Sequence, residues 1–167
     1  FGAPDWVFCT LLTQREGAEI NDGFELIMGK NDPAYPYISL GASQFSAAGD
    51  QPHGAPRFKV QGRKATWLKS GFDPQEAALR EGVVPKNIAW LSEENTARGR
   101  LIDGETGLDS LTDAGIGEWP WFYDTVKNAI EFDKEPPVYA AEALLTCAVI
   151  DAAMQSFTSG ARVTPLL

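Results

Sequence analysis

Residues 6–13, Trp-Val-Phe-Cys-Thr-Leu-Leu-Thr, are rich in strand formers and apolar on both faces of any strand they form. Side chains alternate along a strand, so Val7, Cys9 and Leu11 point one way and Trp6, Phe8 and Leu12 the other. An antiparallel sheet with one wet face alternates more cleanly. This run therefore demands cover on both faces. Helices can supply one layer. The other must come from elsewhere in the chain or from a partner subunit.

Further strand-like runs follow at short intervals. Phe24, Leu26 and Met28 alternate along residues 24–28, and the turn residues Glu16-Gly17 and Asn21-Asp22-Gly23 precede them. A third run spans residues 37–45, after Asn31-Asp32-Pro33. Residues 57–61 and 65–70 read as a hairpin about Gly62-Arg63, and residues 101–103 and 108–111 as another about Gly104-Glu105. A short helix interrupts them. Asp73 suits its N-cap, Pro74 its first position, Glu76 a capping-box contact and Gly82 its end.

The last third has helical spacing. Trp119, Phe122, Tyr123, Val126 and Ile130 fall on one stripe, with Trp119 expected in the core and Trp121 off the stripe. Pro136-Pro137 breaks that helix. A second runs from about residue 140 to 159, with Leu144, Leu145, Ala148, Ala152 and Phe157 available for burial and Gly160 as its stop. Its first turn lacks Ser, Thr or Asp, but Glu142 suits the helix dipole. Strands followed by helices predict an α+β fold: an open, mainly antiparallel sheet with helices on one face and the other face a dimer interface.

Candidate chemistry is sparse. The chain has one histidine, His53, in a Gly/Pro-rich loop, and two cysteines far apart in sequence, Cys9 and Cys147. That inventory argues against a zinc site or a serine–histidine–aspartate triad. Two thiols among apolar neighbours fit a reducing, cytoplasmic setting. The net charge of −9 disfavours nucleic acid and anionic lipid. The apolar stretches read as too short to span a bilayer, and no signal peptide is visible. Neither the dinucleotide fingerprint nor a P-loop occurs, so no cofactor is expected to bind this chain. Adjacent Glu93-Glu94 reads as a solvated loop rather than a carboxylate pair. The chain opens at Phe1 rather than methionine, close to a strand, as an excised domain would.

The order of motifs carries more information than any one of them. Phe1-Gly2-Ala3-Pro4 leads into the first strand. Pro56-Arg57-Phe58-Lys59-Val60-Gln61-Gly62 and Trp67-Leu68-Lys69 lead to Gly71-Phe72-Asp73-Pro74-Gln75-Glu76. Then come Glu118-Trp119-Pro120-Trp121-Phe122-Tyr123, Pro136-Pro137-Val138, Ala141-Glu142-Ala143-Leu144 and Ser159-Gly160. The series resembles the carboxyl-terminal half of the glucose–fructose oxidoreductase, inositol dehydrogenase and rhizopine-catabolism (Gfo/Idh/MocA) family. The 71–76 stretch resembles its scyllo-inositol branch. Ala65, where the family often has glycine, and Tyr139-Ala140, where it often has a Ser or Thr cap, depart from the pattern.

The resemblance implies a single carboxyl-terminal substrate and dimerisation domain over residues 1–167, with an amino-terminal Rossmann domain outside the chain. It implies a parent enzyme that binds NAD or NADP and oxidises a sugar or cyclitol alcohol in bacterial-type sugar metabolism. The family's catalytic lysine and histidine match no residue here, so no catalytic residue is assigned and the isolated chain is expected to be inactive. Lys69, Asp73 and Gln75, a polar cluster at a strand-to-helix junction, are the candidate substrate-side residues; a capped surface helix is the plainer account of them. Two other classes remain open. One is a stand-alone, sheet-mediated binding or dimerisation module. The other is a carbohydrate-active enzyme using acidic residues.

Overall fold

The computed structural model describes residues 2–45, 56–70, 76, 79–83, 98–112 and 119–166. In chain order the strands are β1 (Trp6–Leu12), β2 (Gly23–Gly29), β3 (Ile38–Ser43), β4 (Phe58–Gln61), β5 (Ala65–Lys69), β6 (Gly99–Asp103) and β7 (Asp109–Thr112). The helices α1 (Trp119–Phe132) and α2 (Ala140–Ser159) follow. The expected α+β class and antiparallel pairing are observed, with the strands divided between two sheets, β1-β2-β3 and β4-β5-β6-β7. The chain forms two compact units, one of Phe1–Ser46 with Pro136–Leu167 and one of Ala47–Glu135.

In the first unit, register puts Val7, Cys9 and Leu11 on the same face as Met28, Leu26 and Phe24. That face carries the core: Val7, Cys9, Leu26 and Met28 are buried with Ala152 and Ala153 of α2. The burial that holds α2 falls on small residues, Ala148, Ala152, Ala153 and Ser156. Leu144 and Phe157, expected inside, are 57% and 44% exposed. Small side chains let the helix backbone approach β1 closely, which turns the bulkier ones outward. By length and composition alone α2 could cross a membrane. That overturns the reading of every apolar stretch as too short to span a bilayer; the alanine face of α2 packs on β1, while Ile150, Met154 and Phe157 stand exposed. Cys147 lies on the exposed side of this helix, contrary to the expected burial, whereas Cys9 is buried and free. Burial pushes the Cys9 thiol above its ordinary pKa, so it packs as a small apolar group.

The ends of α2 follow from local chemistry. The Tyr139 N–H donates to the Glu142 carboxylate (2.9 Å), so Glu142 caps the helix from inside its first turn. At the other end Gly160 takes φ +65° and its N–H donates to the Ser156 carbonyl (2.8 Å). The stop read from Gly160 is therefore observed.

In the loop between β1 and β2, Asp22 acts as a clamp. Its carboxylate accepts from the Gln14 N–H (2.7 Å), the Arg15 N–H (3.0 Å) and the Arg15 guanidinium Nε (3.2 Å). Its backbone bonds Leu12 and Gln44, joining the ends of β1 and β3. Burial alone would raise the Asp22 pKa; the three donors outweigh it and hold the carboxyl below its ordinary value. With the folded value depressed, this contribution to stability is complete above the unfolded value of about 3.9 and fades as pH falls through the folded one. Asp22→Asn should lower the melting temperature at neutral pH and flatten its fall on acidification below about pH 4. Thermal melts across that range check this; an unchanged acid limb would remove Asp22 from the account.

Candidate functional site

The second unit holds the candidate site. β4 and β5 form the expected hairpin, closed by Gly62 N–H to Ala65 C=O (2.9 Å). β6 and β7 form the other, and its turn is organised by Asp103. The Asp103 carboxylate accepts from the Thr106 N–H (2.7 Å), the Thr106 hydroxyl (2.8 Å) and the Glu105 N–H (3.0 Å). The Thr106 N–H is the main cause that keeps the Asp103 pKa low. β5 then pairs with β6 across a long sequence separation, Ala65 opposite Asp103 and Leu68 opposite Arg100.

Alternation places Lys69, Trp67 and Ala65 on one face of β5. Register adds Phe58 and Val60 from β4, Leu101 from β6, and Ser110 and Thr112 from β7. Lys69 is half-buried and engaged within the fold. It stands opposite Phe58, with Trp67 two residues back on its own strand. Of the three substrate-side candidates, the structure thus positions Lys69 at the end of β5. Asp73 and Gln75 lie outside the described residues, as do His53, Glu93 and Glu94. Beyond them, Glu76, Leu79 and Arg80 are helical, Glu76 and Arg80 pair at 2.8 Å, and Gly82 takes φ +77° at the expected helix end.

The central contact of this face is one that sequence reasoning missed. The Trp67 indole N–H donates to the Thr112 hydroxyl at 2.8 Å, from β5 to β7. It passes over Gly99 of β6, where a Cβ would stand 2.2 Å from the indole nitrogen. Glycine at 99 is what lets the ring cross the strand. Nothing local in the sequence announces a partnership between residues 45 positions apart. The other face carries Arg100, whose guanidinium pairs with the Asp109 carboxylate and lowers its pKa through that hydrogen bond.

α1 leaves its apolar stripe uncovered. Trp119, Phe122, Tyr123 and Ile130 are 43–79% exposed, so Trp119 is not the core residue its spacing suggested. Asp133, at φ +50°, lies just beyond the end of α1, three residues before Pro136.

The described residues do not fit a dinucleotide. No glycine-rich strand–turn–helix is present among them to wrap a pyrophosphate. The N-terminus of α2 is closed by the Glu142 carboxylate, which would repel one. Among the described residues no three His, Cys, Asp or Glu converge as metal ligands.

Residues 17–164 match the family model for the C-terminal alpha/beta domain of the Gfo/Idh/MocA oxidoreductases. The chain belongs to that family. It is 29% identical over 158 residues to scyllo-inositol 2-dehydrogenase (NADP(+)) of Bacillus subtilis, covering 93% of this chain and 42% of that protein. An oxidoreductase of Escherichia coli without assigned substrate is 26% identical over 93% of the chain and 43% of its own length. A crystal structure from Klebsiella pneumoniae, assigned to the oxidoreductases, superposes with a TM-score of 0.86 at 30% identity, covering all of this chain and 45% of that one. The chain therefore spans less than half the length of the curated relatives it matches.

Gly99→Ala puts a methyl group where the indole crosses the strand. The expected outcome is loss of the Trp67–Thr112 bond, a lower melting temperature and a red-shifted tryptophan emission. The paired change Gly99→Ala with Trp67→Leu should cost less than the sum of the two single changes, because the indole clash is gone and only the Thr112 hydroxyl, 2.6 Å from the added Cβ, has to turn aside. Additive losses would contradict the contact.

Proposed function

We propose that this chain is the substrate-binding and oligomerisation domain of an NAD- or NADP-dependent oxidoreductase acting on a sugar or cyclitol alcohol. The similarity to scyllo-inositol 2-dehydrogenase (NADP(+)) over 93% of the chain carries the reading. In it, residues 1–167 are one carboxyl-terminal domain and a Rossmann domain precedes them and holds the nicotinamide. The reaction of the whole is hydride exchange between a carbinol carbon and the nicotinamide ring. This chain contributes the wall of the pocket and holds the polyol in place.

Lys69 is assigned to that wall, with Asp73 and Gln75 following it at the strand-to-helix junction. An ammonium group suits this role because it donates hydrogen bonds to several hydroxyl oxygens and has no acceptor capacity. Phe58, Val60 and Leu101, 38–61% exposed on the same sheet face, give the apolar surface from which a dimer would be built.

Two measurements test these roles. In the intact parent enzyme, Lys69→Ala and Gln75→Ala should raise the Michaelis constant for the polyol about tenfold while leaving that for the nicotinamide unchanged, as expected for lost hydrogen bonds to substrate. Equal constants for mutant and parent would remove both residues from the pocket. Light scattering of the isolated chain should give twice the chain mass, and Val60→Lys should return it to the monomer. A monomer throughout would exclude the sheet as an interface.

A further inference from the structure

α2 is apolar on two sides. On one, Val149, Ala152 and Ala153 belong to the core shared with β1. Helical geometry places Ala143, Cys147, Ile150, Met154 and Phe157 on the other. These five follow one another at alternating steps of four and three residues, the spacing of a seam between two helices. All five are exposed. None is charged, and α2 contains no lysine or arginine. A helix apolar all round is one that is covered all round. β1 covers half of this one.

We propose that the stripe Ala143-Cys147-Ile150-Met154-Phe157 is the seat on which a helix of the preceding Rossmann domain docks. The proposal rests on the two-domain reading above and names the contact through which the halves meet. Length supplies the occupant. The chain matches the C-terminal domain of its family and spans less than half of its relatives, so the larger part of such a polypeptide lies ahead of it. The point of entry supplies the place. β1 opens at Trp6, and its start is tied to the chain just past α2. Val7 and Val163 exchange two backbone bonds (2.8 and 3.0 Å), and the Arg162 guanidinium carbon lies 3.9 Å from the Trp6 ring centroid. The Cys9 N–H donates to the Ser156 hydroxyl (3.1 Å), one residue from Phe157. A polypeptide leading into Trp6 therefore arrives at the end of α2 that carries Met154 and Phe157, and the tether holds it there at high effective concentration. A membrane suits the stripe less well. The other side of α2 is seated on β1, and an interfacial helix carries basic residues that α2 lacks.

The two cysteines are natural reporters, Cys147 in the stripe and Cys9 in the core. The intact parent enzyme is treated with N-ethylmaleimide, and each thiol is followed by peptide mass spectrometry. Cys147 should label as slowly as Cys9. In the variant Gln155→Cys, at an exposed position a quarter turn off the stripe, the new thiol should label at least about tenfold faster than Cys147. Met154→Lys should speed labelling of Cys147 while Cys9 stays protected, which separates undocking from unfolding. Cys147 as reactive as the Gln155→Cys thiol, in an enzyme that does carry a Rossmann domain, overturns the docking and leaves the two-domain reading intact. A polypeptide without that domain overturns the reading and the docking with it. Protection of Cys147 that disappears on dilution gives the stripe to a second copy of the chain. Protection that appears only with vesicles of phosphatidylcholine and phosphatidylglycerol gives it to a membrane. Either result overturns the proposal.

Discussion

The first unit depends on one hydroxyl. Ser156 is fully buried and stands between β1 and the end of α2, accepting from the Cys9 N–H and donating to the Ala161 carbonyl. Without it, a strand amide and a loop carbonyl would both lie without a partner at the edge of the core, a loss that costs more than an average hydrogen bond. The alanines beside it depend on the same geometry. Ala152 and Ala153 reach Val7 and Cys9 because the helix lies close to β1, and Ser156 fixes its end there. Asp22 does the corresponding work on the far side of β1, tying the loop after Leu12 to the segment that follows β3.

The second unit is organised by contacts between distant segments. Its two hairpins are local, each with its own turn chemistry, but β5 meets β6 only after the intervening chain returns. Trp67, Gly99 and Thr112 then lock three strands together: the ring supplies the donor, glycine the space and threonine the acceptor. Lys69 takes its position from this lock, two residues along the same strand.

The sequence was most readable where local chemistry decides structure. The alternation of Phe24, Leu26 and Met28, the turns about Gly62 and Gly104, the proline-bounded start of α2 near residue 140 and its stop at Gly160 all stand as their residues imply. The order of family-like motifs likewise agrees with the match over residues 17–164. Readings that depended on what lies opposite fared differently. The stripe of α1 was legible, but spacing does not name the surface that covers it, and Trp119 is exposed. Cys147 and Leu144 sit on a helix whose inner face went to alanine and serine, since close approach to β1 favours small side chains over large ones. For the candidate site, Lys69 was marked by its motif, whereas the Trp67–Thr112 bond had no local signal and required the β5–β6–β7 register.

Reading the coding sequence immediately upstream of Phe1 tests most directly the claim that this chain is the polyol-binding half of a nicotinamide enzyme. The account predicts an in-frame Rossmann domain: a glycine-rich strand–turn–helix opening, followed by the catalytic lysine and histidine that the family resemblance implies. A start codon near Phe1 with none of these before it would contradict the claim and leave a binding or dimerisation module with an oxidoreductase ancestry.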